Sequence, residues 1–415
     1  KLSYNGEIQR LIQSLKEVKR TMINETMYGL GNAPSAIREL FAYGLERKAE
    51  IGEDKVFDFS IGNPSVPAPD KVAQVIKKLA DEPPAQLHAY SQASGLDSTK
   101  TAIAENLNRR YGTDYTAANF YLTYGAAACL SACFTALMVP GDEVIVISPY
   151  FPEYRVWIEF AQGKCVEVPA RTDNFQIDID ALKAAITDRT KAIVINTPNN
   201  PVGVVYTRET LEALAALLCE EQEARGHEIY LISDEPYREL VYDGIEVPWV
   251  PSIYENTLVC YSWSKSLSLP GDRIGYVLVP NSVTNHERVY FAVAGAGRSL
   301  GYICAPVFFQ RVIAECVDEP TNVEAYAHNR ALLTEGLSKL GYEYIAPDGA
   351  FYLWIKALED DAQVFSDKAK EHELLLVPSD SFGVTGWVRA GYCIDSKTIE
   401  NAMPAFAALK ADYDA

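Results

Sequence analysis

Four short clusters carry the side chains through which this chain could do chemistry. Tyr261-Ser262-Trp263-Ser264-Lys265 is followed by Gly271-Asp272-Arg273. A lysine among small polar residues after an apolar run is either an ordinary surface residue or an amine reserved for nucleophilic work. Arg273 adds a second cation nearby, and neighbouring positive charge lowers an amine from its usual pKa of about 10.4 towards a nucleophilic range. Ile229-Tyr230-Leu231-Ile232-Ser233 leads to Asp234, which is either a helix cap or a placed charge, and Tyr237 can face the same space. Asn196-Thr197-Pro198-Asn199-Asn200-Pro201-Val202-Gly203 is an irregular loop. Its asparagines either only turn the chain or offer a neutral donor to a pocket. Tyr124-Gly125-Ala126-Ala127-Ala128 opens a helix. Small residues there make either a plain tight turn or a place where backbone N–H groups and the helix dipole receive a phosphate. The cluster is neither Gly-x-Gly-x-x-Gly nor a Walker loop, so dinucleotide and ATP binding lack support.

These clusters need elements to hold them. Seven β-rich runs, Phe120–Thr123, Glu143–Ser148, Lys164–Val168, Ala192–Asn196, Glu228–Ser233, Thr257–Tyr261 and Ile274–Val279, alternate with helices from about 70 to 300. Several are almost wholly apolar, as strands buried on both faces are. The alternation predicts an α/β domain around a mostly parallel seven-stranded sheet flanked by helices. In such sheets ligands collect at the carboxyl ends of the strands. From about 306 helices over 307–318 and 321–340 precede the runs Phe351–Ile355, Leu374–Val377 and Trp387–Ala390, a pattern that predicts a smaller α+β domain. Residues 1–65 supply an amphipathic helix over 7–20, a second over 34–49 opened by Pro34 and Ser35, a strand Phe57–Ile61 and part of the smaller domain. The expected division is therefore 1–65, 66–305 and 306–415.

The chain has 415 residues, 37 Lys plus Arg and 56 Asp plus Glu, for a net charge of −19. That balance opposes contact with nucleic acid or an anionic membrane. No run approaches the roughly 18 apolar residues of a membrane span, and no secretory signal is expected from the polar start. Eight cysteines without a Cys-x-x-Cys pair are expected as free thiols in a reducing, cytoplasmic compartment. The five histidines are far apart and lack metal-ligand spacing, so no metal is expected.

Taken together and in this order, the clusters resemble those of the class I and II aminotransferases, the fold-type I enzymes that use pyridoxal phosphate. The resemblance spans about residues 55–400 and implies a Schiff-base role for Lys265, a proton shuttle once substrate arrives. It implies that Asp234 pairs with the pyridine nitrogen, and that Tyr237 and Asn200 hydrogen-bond the ring oxygen. Phe151, in Pro149-Tyr150-Phe151-Pro152-Glu153-Tyr154, matches the aromatic stacked on the ring, with Tyr150 as its rival. Phosphate contacts are implied for Gly125, Ala126, Ala127, Ser262, Ser264 and Arg273, and for Tyr90 from a neighbouring subunit of a homodimer with shared sites. Arg389, in Gly386-Trp387-Val388-Arg389-Ala390, matches the arginine that grips the substrate carboxylate, with Gly62 beside it.

The implied reaction is ping-pong transfer of an amino group between an L-amino acid and a 2-oxo acid. The same fold and cofactor also serve C–S β-lyases, which is the alternative. A PLP-sensing regulator is a third reading, opposed by the charge and by the lack of room for a DNA-binding domain. One aspartate-specific subgroup carries a lysine in the phosphate loop, where this chain has Gly125-Ala126-Ala127-Ala128. Arg298, in Gly295-Ala296-Gly297-Arg298, is the substitute cation for a second carboxylate, and Arg38 is a further candidate.

Overall fold

The computed structural model describes residues 23–33 and 35–414. The helix expected over 7–20 lies outside them, as does Pro34. The first strand, β1 (Phe57–Asp58), precedes β2 (Phe120–Thr123), β3 (Glu143–Ser148), β4 (Lys164–Pro169), β5 (Thr190–Asn196), β6 (Tyr230–Asp234), β7 (Thr257–Ser262) and β8 (Gly275–Leu278). Then come β9 (Tyr344–Ile345), β10 (Tyr352–Lys356), β11 (Leu374–Leu375), β12 (Val377–Pro378) and β13 (Trp387–Gly391).

All seven runs expected as the large sheet are strands of it, in the order β2-β8-β7-β6-β5-β3-β4. The pairings from β7 through β4 are parallel, and β8 runs antiparallel to both of its neighbours. β2 therefore points the same way as β7. Alternate residues feed two apolar clusters. Val144, Val146, Ala192, Val194, Ile232 and Leu258 pack with Leu130, Cys133 and Phe134 of the helix Ala126–Leu137 and with Val289 and Val293 of His286–Leu300. Ile145, Ile147, Ile193, Ile195 and Leu231 pack with Leu211, Leu214 and Leu218 of the helix Arg208–Arg225. Each such side chain contributes about 1.5–3 kcal/mol by leaving water. The last helix is closed locally: the Thr207 side chain accepts from the Thr210 N–H, and Gly226 ends it at φ 70°.

The second layer is the antiparallel sheet β12-β13-β10-β9, covered by Val323–Lys339, Ala362–Glu371 and Ser396–Asp414. The run expected over Leu374–Val377 divides in two. β11 pairs in parallel with β1, Phe57 opposite Leu374, while β12 joins β13. β1 is shorter than the expected Phe57–Ile61: Phe59 still donates to the Leu375 carbonyl, but its own carbonyl accepts from Gly391 of β13 and not from β11. The helix Val307–Cys316 lies beyond the boundary expected at 306, yet Val312, Ile313 and Cys316 pack with Val72, Leu79 and Ile103 on the large-sheet side.

Candidate active site

The topology brings the clusters to one rim. Asn196, Asp234 and Ser262 end β5, β6 and β7 at the same edge. Thr123 and Ser262 both lie opposite Gly275, the first residue of β8. Because β8 is antiparallel, the chain enters it at that edge, which places Arg273 there. Gly125 adopts φ +84°, a conformation that L side chains rarely take, and a Cβ on it would lie 2.8 Å from the Arg273 guanidinium.

A cavity of about 280 Å³ opens at this rim. It is lined by Lys265, Asp234, Tyr237, Asn200, Phe151, Ala126, Ala127, Ser262, Ser264, Arg273, Gly62 and Arg389. Tyr150 is turned away, its hydroxyl donating to Glu167 at 2.8 Å, so Phe151 is the aromatic of that pair that faces the cavity. Tyr90 and Arg298 are not among the lining residues. Tyr90 is 94% exposed, and Arg298 sits exposed in the last turn of His286–Leu300. Arg38 also points elsewhere, pairing with Glu153 at 3.1 Å. A larger cleft of about 1110 Å³ holds none of the expected site residues, and the Arg238 within it already pairs with Glu235 at 2.8 Å and with Glu239.

The charges in the cavity are set for ligands. Lys265 Nζ donates to the Gly62 carbonyl at 2.5 Å. Burial lowers its pKa to about 8, with smaller pushes from Arg389 and Arg273. Desolvation thus outweighs the neighbouring cations as the cause. Asp234 is raised to about 7, also by burial, against the hydrogen bond it accepts from Tyr154 at 2.5 Å. Its Oδ1 is buried with no hydrogen-bond partner among the described residues. Arg389 is 2% exposed and has no carboxylate partner among the described residues. It donates instead to Asn200 Oδ1 at 3.0 Å and to the Ser60 carbonyl at 2.6 Å, and its Nε is unpartnered. Among the described residues, Arg273 donates only to carbonyls, of Pro270 at 2.8 Å and Tyr124 at 3.1 Å.

Three further residues complete the arrangement. Tyr154 bonds Asp234, and Tyr352 places its hydroxyl 3.1 Å from that of Tyr237. Asn196 donates to the Asp234 carbonyl at 2.8 Å and accepts from the Asn200 N–H at 2.6 Å, locking two strand ends together. A Cβ on Gly62 would run into the Tyr352 hydroxyl, so that glycine makes room first for a neighbouring side chain. Among the described residues, no group of three or more His, Cys, Asp or Glu could hold a metal ion, and no helix is long and apolar enough to cross a membrane.

Residues 54–406 match the family model described as aminotransferase class I and II. The aspartate/prephenate aminotransferase of Thermus thermophilus is 33% identical over 389 residues, covering 90% of this chain and 95% of the relative. An aromatic-amino-acid aminotransferase of Thermococcus litoralis is 29% identical, covering 89% and 94%. Among solved structures, an amino transferase from Eubacterium rectale superposes with TM-score 0.93 at 53% identity, covering 95% of this chain and 100% of that one. The Thermus thermophilus aspartate aminotransferase with maleate gives TM-score 0.80 at 32% identity, covering 91% and 97%. These relatives are aminotransferases and lend nothing to the C–S lyase alternative. The chain belongs to the class I and II aminotransferases and is a pyridoxal-phosphate-dependent aminotransferase of fold type I.

Proposed function

We propose that Lys265 carries the cofactor and that this cleft moves an amino group between an L-amino acid and a 2-oxo acid in two half-reactions. The observation that carries this reading is Arg389, a buried guanidinium without a counter-ion among the described residues, lining the same cavity as Lys265. A buried unpaired charge is costly, and the carboxylate shared by amino and oxo acids offsets that cost in a charge-assisted, orienting pair. Asp234 makes the matching demand for the cofactor, since a ring N–H would satisfy its bare Oδ1 and hold it ionised.

When bound, pyridoxal phosphate supplies an electron sink for the substrate α-carbon. The rest falls to the chain. Burial lowers the Lys265 pKa to about 8 and so favours the neutral amine, the form that can take and return the proton at Cα. Tyr237 and Asn200 serve the ring oxygen, while Asn200 also steadies Arg389. Phe151 covers the ring face. Gly125, the N–H groups of Ala126 and Ala127 at a helix start, Ser262, Ser264 and Arg273 form the phosphate cradle. Gly62 fixes Lys265 through its carbonyl.

The active form in this reading is a homodimer in which Tyr90 and Arg298 serve the partner's cleft. Phe291, 70% exposed on the same helix as Arg298, supports a covered face there. The three-part division of the chain stands in this proposal, with Val307–Cys316 docked on the large-sheet side. A cytoplasmic location fits eight free cysteines, two of which, Cys133 and Cys260, share a hydrogen bond between sulfurs 3.6 Å apart and form no disulfide. Aspartate and aromatic amino acids are the first donors to test. Adding pyridoxal phosphate should give a visible absorbance band, and borohydride should fix the cofactor to the peptide bearing Lys265, read by mass. Lys265→Ala should lose the band, the mass shift and transamination; retained turnover overturns the proposal.

A further inference from the structure

We infer that Tyr352 is a positioning residue that ties the amino-acid carboxylate site to the hydroxyl serving the cofactor's ring oxygen, an inference that rests on the proposed use of this cleft. The sheet register makes the connection. Trp354 lies opposite Arg389 and Tyr352 lies opposite Gly391. Tyr352 is thus the diagonal neighbour of Arg389 on the same sheet face, a spacing that long and aromatic side chains bridge. The Arg389 guanidinium sits over the Tyr352 ring, 4.4 Å from its centroid. At the other end of the ring, the Tyr352 hydroxyl lies 3.1 Å from that of Tyr237. It also fills the space where Gly62 lacks a Cβ, next to the carbonyl that holds Lys265. One side chain therefore touches the cation for the substrate carboxylate, the donor for the ring oxygen and the backbone that holds the reactive amine.

The direction of the hydrogen bond follows from the ligand. A phenol has one proton to donate and lone pairs to accept with. Without a ligand, either tyrosine can be the donor. Once an acceptor in the cleft takes the Tyr237 proton in a hydrogen bond, Tyr237 has none left to give, and Tyr352 becomes the donor. Burial raises the pKa of both hydroxyls, so both stay protonated and able to donate. Hydrogen bonds in series polarise one another, so Tyr352 strengthens the bond that Tyr237 makes.

Tyr352→Phe removes the hydroxyl and keeps the ring under Arg389. Its cofactor-loaded form should show the pH midpoint of the visible band raised by about half a unit to one unit, the size of one hydrogen bond. Its kcat should fall roughly three- to tenfold with KM for the amino donor nearly unchanged. Tyr352→Leu, which also removes the ring, should raise KM as well. In a Tyr237→Phe background the second change, Tyr352→Phe, should move the midpoint no further, because Tyr352 acts through Tyr237. An unchanged midpoint in Tyr352→Phe, or an equal shift with and without Tyr237, overturns the inference. A wild-type protein that forms no visible band would instead overturn the use of the cleft itself.

Discussion

Asp234 is buried with one oxygen held by Tyr154 and the other bare. Burial raises its pKa to about 7, well above the roughly 3.9 of an unfolded chain. A carboxyl shifted this way contributes stability that is fully present below pH 4 and is lost as pH rises through 7. The cofactor-free protein should therefore lose melting temperature between about pH 4 and 7 relative to Asp234→Asn. The shift is worth roughly 4 kcal/mol at most, at about 1.4 kcal/mol per pH unit. Pyridoxal phosphate should abolish that difference by giving Oδ1 a donor, and parallel melting profiles without cofactor would refute the account. Tyr154→Phe removes the hydrogen bond that favours the ionised form, so cofactor affinity should drop roughly fivefold to tenfold, read by titration of the visible band. At this scale Lys265, Asp234, Asn200 and Arg389 are legible in sequence because a polar side chain stands where an apolar run stops or is interrupted. Tyr154 and Tyr352 are not. Tyr154 closes the Pro149–Tyr154 cluster between Glu153 and Arg155 with nothing to mark it as a partner of Asp234, Tyr352 lies in the apolar run Phe351–Ile355, and only the position of a hydroxyl at the far end of the ring gives each a role.

Gly275 shows what an element adds. It begins the antiparallel strand β8, wedged between Thr123 and Ser262, and a Cβ there would strike the Tyr261 carbonyl and lie 3.0 Å from the Gly125 backbone. Three parts of the phosphate cradle meet at this one residue: the loop before the helix Ala126–Leu137, the end of β7 and the approach to Arg273. Gly275→Ala should push β8 outward, costing about 1–3 kcal/mol as an overpacked site, and should weaken pyridoxal phosphate more than it slows the half-reaction of the loaded enzyme. Thermal melts and cofactor titration separate these effects; unchanged cofactor affinity would disprove the wedge. Most of the seven strands are legible because burial on both faces leaves nearly unbroken apolar runs, while the edge strand β4 shows alternation instead, with Cys165 and Val168 buried between exposed Lys164, Glu167 and Pro169. The order of the strands is not legible, since an apolar run carries no mark of its neighbour, and neither is the antiparallel turn of β8 that aims Arg273. The division of Leu374–Val377 between two sheets is hidden for the same reason: two buried pairs, Leu374–Leu375 and Val377–Pro378, read as one strand until their partners are known.

At the scale of the molecule, the proposed homodimer gives the exposed Tyr90 and Arg298 a place to act. Tyr90, whose resemblance implies a phosphate contact, is 94% exposed and does not line its own chain's cleft. Side chains far from their own site serve another only if a two-fold axis brings the copies together, each giving what it receives. Two defective variants test this directly. Lys265→Ala and Tyr90→Ala are each expected to be impaired, the first completely. In a dimer with one copy of each, the cleft with an intact Lys265 receives Tyr90 from its partner, and that site is wild-type. If equal amounts are dissociated and reassociated, half the dimers are mixed and half the sites in those are whole. Activity should then rise to about a quarter of wild type. If Tyr90 served its own chain, that same cleft would keep the Tyr90→Ala defect and mixing would restore nothing beyond the average of the two variants. Light scattering of the wild type supplies the mass of the assembly, and the complementation yield reports whether the site, and not only the surface, is shared.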